Sequence, residues 1–137
     1  MDFSTINFLA VIVVTIISFA FGSIWYGPLF GKKWQKELGF TDEYIREGNM
    51  AKIFGSSFVL IFLMNFGLAF IFTFVERPEF GMIEGAMYGG FIGLFFIGTS
   101  TGVNMLYQRQ SFSLWAIDSF YQIIYLTISG SILAIWK

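Results

Sequence analysis

Residues 6–26 read INFLAVIVVTIISFAFGSIWY, an apolar run without a single charged side chain. At ~1.5 Å of rise per helical residue, a run of this length crosses the ~30 Å hydrocarbon core of a bilayer. Three more apolar stretches follow at 51–75, 83–107 and 114–136, separated by short polar breaks. All four are too long for membrane strands. In lipid every backbone N–H and C=O must find its partner within the protein, and a helix does this locally. The sequence therefore predicts an all-α, polytopic integral membrane protein with four transmembrane helices. Hydrophobic residues make up 56% of the chain and charged residues 12%, and the mean hydropathy is +0.72, all far from soluble averages. We read residues 1–137 as one four-span membrane domain, with an interfacial segment at 28–50 between spans one and two.

The first run is read as a retained anchor. A secretory signal opens with a basic region and ends at small residues, whereas this chain opens with Asp2 and leaves the run through Trp25 and Tyr26. The chain has no cysteine and no histidine. That removes disulfides, thiolate nucleophiles, Cys- or His-ligated metals and the imidazole base. No nucleotide or phosphate-loop motif is present. Glu84 and Asp118 lie near opposite membrane faces and cannot act as an acid/base pair. No catalytic residue, metal or cofactor is expected, and the protein is not read as an enzyme. The net charge of -1 says nothing about partners, but the basic residues of the first loop are interleaved with Glu37, Asp42, Glu43 and Glu47, so no nucleic-acid partner is expected. Membrane lipids are the expected surroundings.

The segment GPLFGKKWQKELGFTDEYIREGNM, 27–50, is the only sizeable extramembrane piece. Pro28 can open a helix, after which Phe30, Trp34 and Leu38 recur every four residues while Lys32, Lys33 and Lys36 fall elsewhere on the wheel. This predicts a short amphipathic elbow, lying on the lipid surface or acting as a docking surface or lid. Gly39 should end it in a left-handed cap, and Thr41 should cap a second short helix with Asp42 and Glu43 in its first turn. Trp25, Tyr26 and Trp34 fall where aromatic rings anchor span ends in the headgroup region, as do Trp115 and Trp136.

NFLAV near the start, followed by FGSIWYGPLFGKKWQKELGF, resembles the bacterial membrane family catalogued as domain of unknown function 1761. A first-span Asn, a Gly-x-x-Trp-Tyr exit, a Pro-Leu-Phe-Gly turn and a following Trp recur there. The matching positions are Asn7, Gly22, Trp25, Tyr26, Pro28, Leu29, Phe30, Gly31 and Trp34. In the last span AIDSFYQII is similar to the family's acidic-aromatic stretch, with Gln122 where a His commonly stands. The resemblance covers essentially the full length; it implies a four-span fold and carries no established activity.

Seven of the 15 glycines lie between Gly81 and Gly102, and Gly81, Gly85, Gly89 and Gly93 repeat at intervals of four. Such a ridge lets a neighbouring backbone approach closely, either within the bundle or across a homo-oligomer interface. The 19 phenylalanines are spread without period and read as lipid-facing bulk and core filler. In span four Asp118, Tyr121, Gln122, Tyr125 and Ser129 fall within about 60° of one helical face. Phe120, Ile123, Ile124 and Thr127 make the opposite face, which is expected to meet lipid. Asp118 stands about 6–8 Å inside the span by helical rise. The antiparallel order brings Asn104, Thr101, Ser56, Ser57, Ser18 and Gly22 to its level, giving a candidate polar site of Asp118, Gln122, Tyr121, Tyr125 and Asn104. Asp118 is there either as a functional ionisable group or to bond Asn104 or pair with Arg109. Asn65 in span two is read as an interhelical hydrogen-bonding residue. Two kinds of function fit: a small permease, channel or lipid-binding bundle using the polar site, or a non-catalytic scaffold or accessory subunit using the ridge and elbow.

Lys32, Lys33, Lys36, Arg46, Lys52 and Arg109 fall on one side of the membrane, against Arg77 and Lys137 on the other. The positive-inside rule puts the elbow in the cytoplasm and both termini outside, in a plasma or inner membrane. An impermeant thiol reagent added outside intact cells should therefore label Asp2→Cys and spare Lys36→Cys. The reverse pattern would invert the topology.

Overall fold

The computed structural model describes residues 3–75, 77 and 79–136. Asp2 and Lys137, which entered the topology reading, lie outside the described residues. Asn7 opens helix α1 (Phe8–Ile24), its side chain accepting from Ala10 N at 3.0 Å. The helix runs on into a π-helical turn, Trp25–Leu29. Pro28 sits inside this turn and does not open the elbow helix as the sequence suggested. The proline has no N–H to give to a carbonyl four residues back, and the wider turn closes instead with Phe30 N donating to Trp25 O at 2.8 Å. At Gly31 a Cβ would run into Tyr26 O, so the residue after the turn has room only for glycine.

The elbow is α2 (Gly31–Leu38) followed by α3 (Asp42–Glu47). Gly39 adopts φ 69°, and Phe40 N and Gly39 N donate to Gln35 O and Lys36 O, the paired bonds of a Schellman cap. Thr41 caps α3 by accepting from Tyr44 N at 3.1 Å. Gln35 Nε2 donates to Phe40 O and to Asp42 Oδ1, joining the two short helices. Helix α4 (Met50–Phe72) starts at Asn49, which accepts from Lys52 N. Span three is α5 (Met82–Ile92), a π-helical segment Gly93–Gly98 and α6 (Thr99–Tyr107). Ser111 caps the last helix, α7 (Phe112–Ile135). Four helical spans, Phe8–Leu29, Met50–Phe72, Met82–Tyr107 and Phe112–Ile135, are long and apolar enough to cross a membrane. They match the four predicted runs to within a few residues.

Glycine decides how span three packs. A Cβ on Gly85 would overlap Gly130 O, one on Gly89 would overlap Leu126 O, and one on Gly93 would stand 2.8 Å from Ile123 Cα. The backbones of α5 and α7 therefore touch, with Gly130 as the reciprocal small residue on α7. Within this chain α7 fills the ridge. Gly81 is not part of it; it is the N-cap of α5, its N–H held by Glu84 Oε2 at 3.0 Å. The expectation that Ile123 and Thr127 face lipid is corrected for the same reason. Ile123 lies against Gly93, and Thr127 Oγ1 is 3.0 Å from where a Cβ on Gly90 would stand. Span four runs through the middle of the bundle, with α5 on one face and α1 and α4 on the other. Of the residues assigned to its outer face, Phe120 alone is exposed.

Gly89→Leu adds a branched side chain against a main chain that cannot move aside. It should cost at least about 1–3 kcal/mol, the usual penalty for overpacking. Phe96→Leu, at a ring 62% exposed on the outside of the bundle, should stay within about 0.5 kcal/mol of the parent. Thermal melts in detergent compare the two; equal melting temperatures would count against the backbone contact.

Candidate functional site

Helix α4 packs on α1 and α7 and makes no comparable contact with α6. The first turns of α4, 51–56, are exposed. What remains between the helices is a crevice of about 1350 Å3. Its walls come from the end of span one, α2 and α3, the first half of α4, Thr101 of α6 and the first half of α7. Apolar residues such as Phe54, Leu60, Ile61 and Met64 form one side; the other carries Asp118, Tyr121, Gln122 and Tyr125.

Asp118 Oδ1 accepts from the Tyr26 hydroxyl at 2.7 Å, and the Trp34 indole approaches the same carboxylate as a second donor. Tyr26 reaches it because the π-helical turn carries it at the end of span one, over the start of α7. Gly22, one turn earlier, makes room for Tyr121, whose hydroxyl is 2.8 Å from where a Gly22 Cβ would stand. That hydroxyl donates to Ser18 O at 3.0 Å. The Tyr125 hydroxyl donates to Met64 Sδ at 2.7 Å. Tyr26 meets Tyr121 and Trp34 face to edge, with ring centres 5.2 and 5.8 Å away, and Tyr121 lies tilted against Tyr125 at 5.0 Å. Among the described residues no lysine or arginine pairs with Asp118. A half-buried carboxylate held by two neutral donors is costly in a membrane setting.

Four of the five predicted polar-site residues, Asp118, Tyr121, Gln122 and Tyr125, thus line one crevice, together with Thr101, Ser57 and Gly22. Asn104 does not. It is exposed on α6 and outside the lining, because a shared depth in the membrane does not fix which way a residue faces on its helix. Arg109 is exposed in the turn after α6, at φ 55°, and is not the partner of Asp118. Ser18 sits deeper, in a buried node. Asn65 Nδ2 donates to Thr15 Oγ1 at 3.3 Å and to Ser18 Oγ at 3.4 Å, and Ser18 Oγ meets Ser129 Oγ at 3.3 Å. Beyond the node Val11, Ala10, Leu68, Phe72 and Leu133 close the bundle with an apolar core.

Residues 9–134 match the family described as "Protein of unknown function (DUF1761)". The chain belongs to this family. No curated protein and no solved structure matches it. Of the positions that carried the resemblance, Gly22, Tyr26, Gly31 and Trp34 line the crevice, whereas Asn7 caps α1 at the other end of the bundle. Sequence reasoning treated Tyr26 and Trp34 as anchors of span ends. The Gly27-Pro28 break just after Tyr26 was the available sign that the chain turns back over its own bundle there. Trp25 is likewise turned inward, its indole donating to Ile117 O at 2.9 Å.

Asp118→Asn keeps an oxygen that can accept from Tyr26 and should melt close to the parent. Asp118→Leu strands the Tyr26 hydroxyl in a half-buried place and should lose about 1–3 kcal/mol. Detergent melts that show no loss for Asp118→Leu would mean that this bond does not hold the elbow to α7.

Proposed function

We propose that this protein is a permease- or lipid-binding-type bundle, not an enzyme, whose crevice takes up a ligand from the cytoplasmic side of a cell membrane. One observation carries the reading: a large crevice at the elbow end brings the Asp118 carboxylate, which has no cationic partner among the described residues, together with Tyr26, Trp34, Tyr121 and Tyr125. Its volume exceeds the ~300–1,000 Å3 of ordinary small-molecule sites. The buried node and the apolar core above it favour a site closed at the terminal side over an open channel. The elbow helices form part of the wall, which suits a cover for the crevice better than a simple surface anchor. A scaffold role has less support, since the glycine ridge is filled from within the chain.

The cysteine-free sequence allows a direct test. Ser57→Cys and Gln122→Cys, both on the crevice wall, should react with a charged methanethiosulfonate added from the elbow side of membrane vesicles. Ser129→Cys, 1% exposed, should not. If positions 57 and 122 stay unreactive while Lys36→Cys reacts, the crevice is closed to solutes and the scaffold reading takes over.

A further inference from the structure

The crevice sorts ligands by charge and by surface. Its single carboxylate away from the mouth is Asp118, with Lys32 and Glu47 in the part of the lining contributed by the elbow. A ligand that reaches Asp118 gains by bringing positive charge, since no lysine or arginine compensates that carboxylate among the described residues. An anion there would meet like charge at short range in a weakly polar setting.

The kind of cation follows from the remaining walls. Hard metal ions take six or more oxygen ligands, and among the described residues no three acidic side chains converge anywhere on the molecule. Around Asp118 stand aromatic rings instead. Tyr26 and Trp34 are part-exposed beside the carboxylate, and the buried Tyr121 and Tyr125 back them from within the bundle. Ring faces attract diffuse organic cations, most strongly where water is excluded. Next to them lie Phe54, Leu60, Ile61 and Met64, which offer contact to apolar bulk. The missing packing between α4 and α6 leaves that side without a helix wall, so a compound dissolved in the bilayer has a path to the rings.

We infer that the crevice binds a lipophilic organic monocation, its charge held by the Asp118 carboxylate and its apolar groups laid against Tyr26, Trp34 and the apolar wall of Phe54, Leu60, Ile61 and Met64. This rests on the reading of the crevice as a ligand site and adds the class of ligand.

Tetraphenylphosphonium is a suitable probe, because tetraphenylborate has nearly the same shape with the opposite charge. The purified full chain in detergent should bind radiolabelled tetraphenylphosphonium saturably, and excess tetraphenylborate should not displace it. Asp118→Asn, which retains the acceptor for Tyr26, should weaken binding at least tenfold without a change in melting behaviour. Gln122→Lys, one turn along α7 from Asp118, supplies an internal cation and should weaken binding to a similar degree. Trp34→Leu should weaken it several-fold by removing one wall. Absence of saturable binding to the parent chain overturns the inference, as does equal competition by tetraphenylborate or undiminished binding to both the Asp118→Asn and Gln122→Lys chains. The parent-chain comparison of the two probes needs no variant to fold. Thiol reactivity at position 122 separates the two levels of the argument. A reactive crevice that ignores tetraphenylphosphonium leaves a ligand site with another specificity, whereas an unreactive crevice removes both readings.

Discussion

The direct contact between the main chains of α5 and α7 governs the rest of this bundle. With Gly85, Gly89 and Gly93 pressed on Gly130, Leu126 and Ile123, span three takes up one whole face of span four. Spans one and two are then confined to the other face, and that is where the polar residues of α7 lie. In lipid the contact cannot draw on expulsion of water, so close van der Waals approach between small residues has to supply it. The sequence places its small residues accordingly.

On the opposite face the side chains are large. Tyr121 and Tyr125 project from α7 towards α1 and α4, and Gly22 and Met64 make way for them or receive their hydroxyls. Bulk near the elbow keeps α4 from closing on α7 there, whereas Leu68, Phe72 and Leu133 bring the other ends together. The bundle is tight at one end and split at the other. A polar node of Thr15, Ser18, Asn65 and Ser129 marks the transition, and Asn65 Oδ1 has no partner there among the described residues.

Much of this was legible in the residues. Apolar length gave the four spans, and Gly39 and Thr41 gave the two caps of the elbow, because each depends on local chemistry alone. The spacing of Asp118, Tyr121, Gln122 and Tyr125 gave one wall of the crevice, since a single straight helix fixes their relation. Relations between helices were harder to read. Asn104 shares the level of Asp118 but faces away from it, and hydropathy does not report azimuth. Tyr26 and Trp34 have the composition of headgroup anchors, yet the turn at Gly27-Pro28 directs them inward. Ile123 and Thr127 look like lipid-facing residues until the glycines opposite are known to lie against them.

The π-helical segment Gly93–Gly98 acts as a phase correction in a repeat. Glycines four apart drift around an α-helix by about 40° per step, so a ridge of this spacing gradually winds off its partner. From Gly93 the next small residue in line is five positions on, at Gly98, and then four again, at Gly102. The one wide turn absorbs the extra residue. Gly98 O is thereby kept facing α7, where it accepts from the Trp115 indole at 2.9 Å, and Gly102 is kept beside the same indole. A helix wound uniformly through these residues would carry α6 about 100° around its axis for the residue gained. Thr101 would turn with it, so the winding of the Gly93–Gly98 segment sets which side chain span three contributes to the crevice wall.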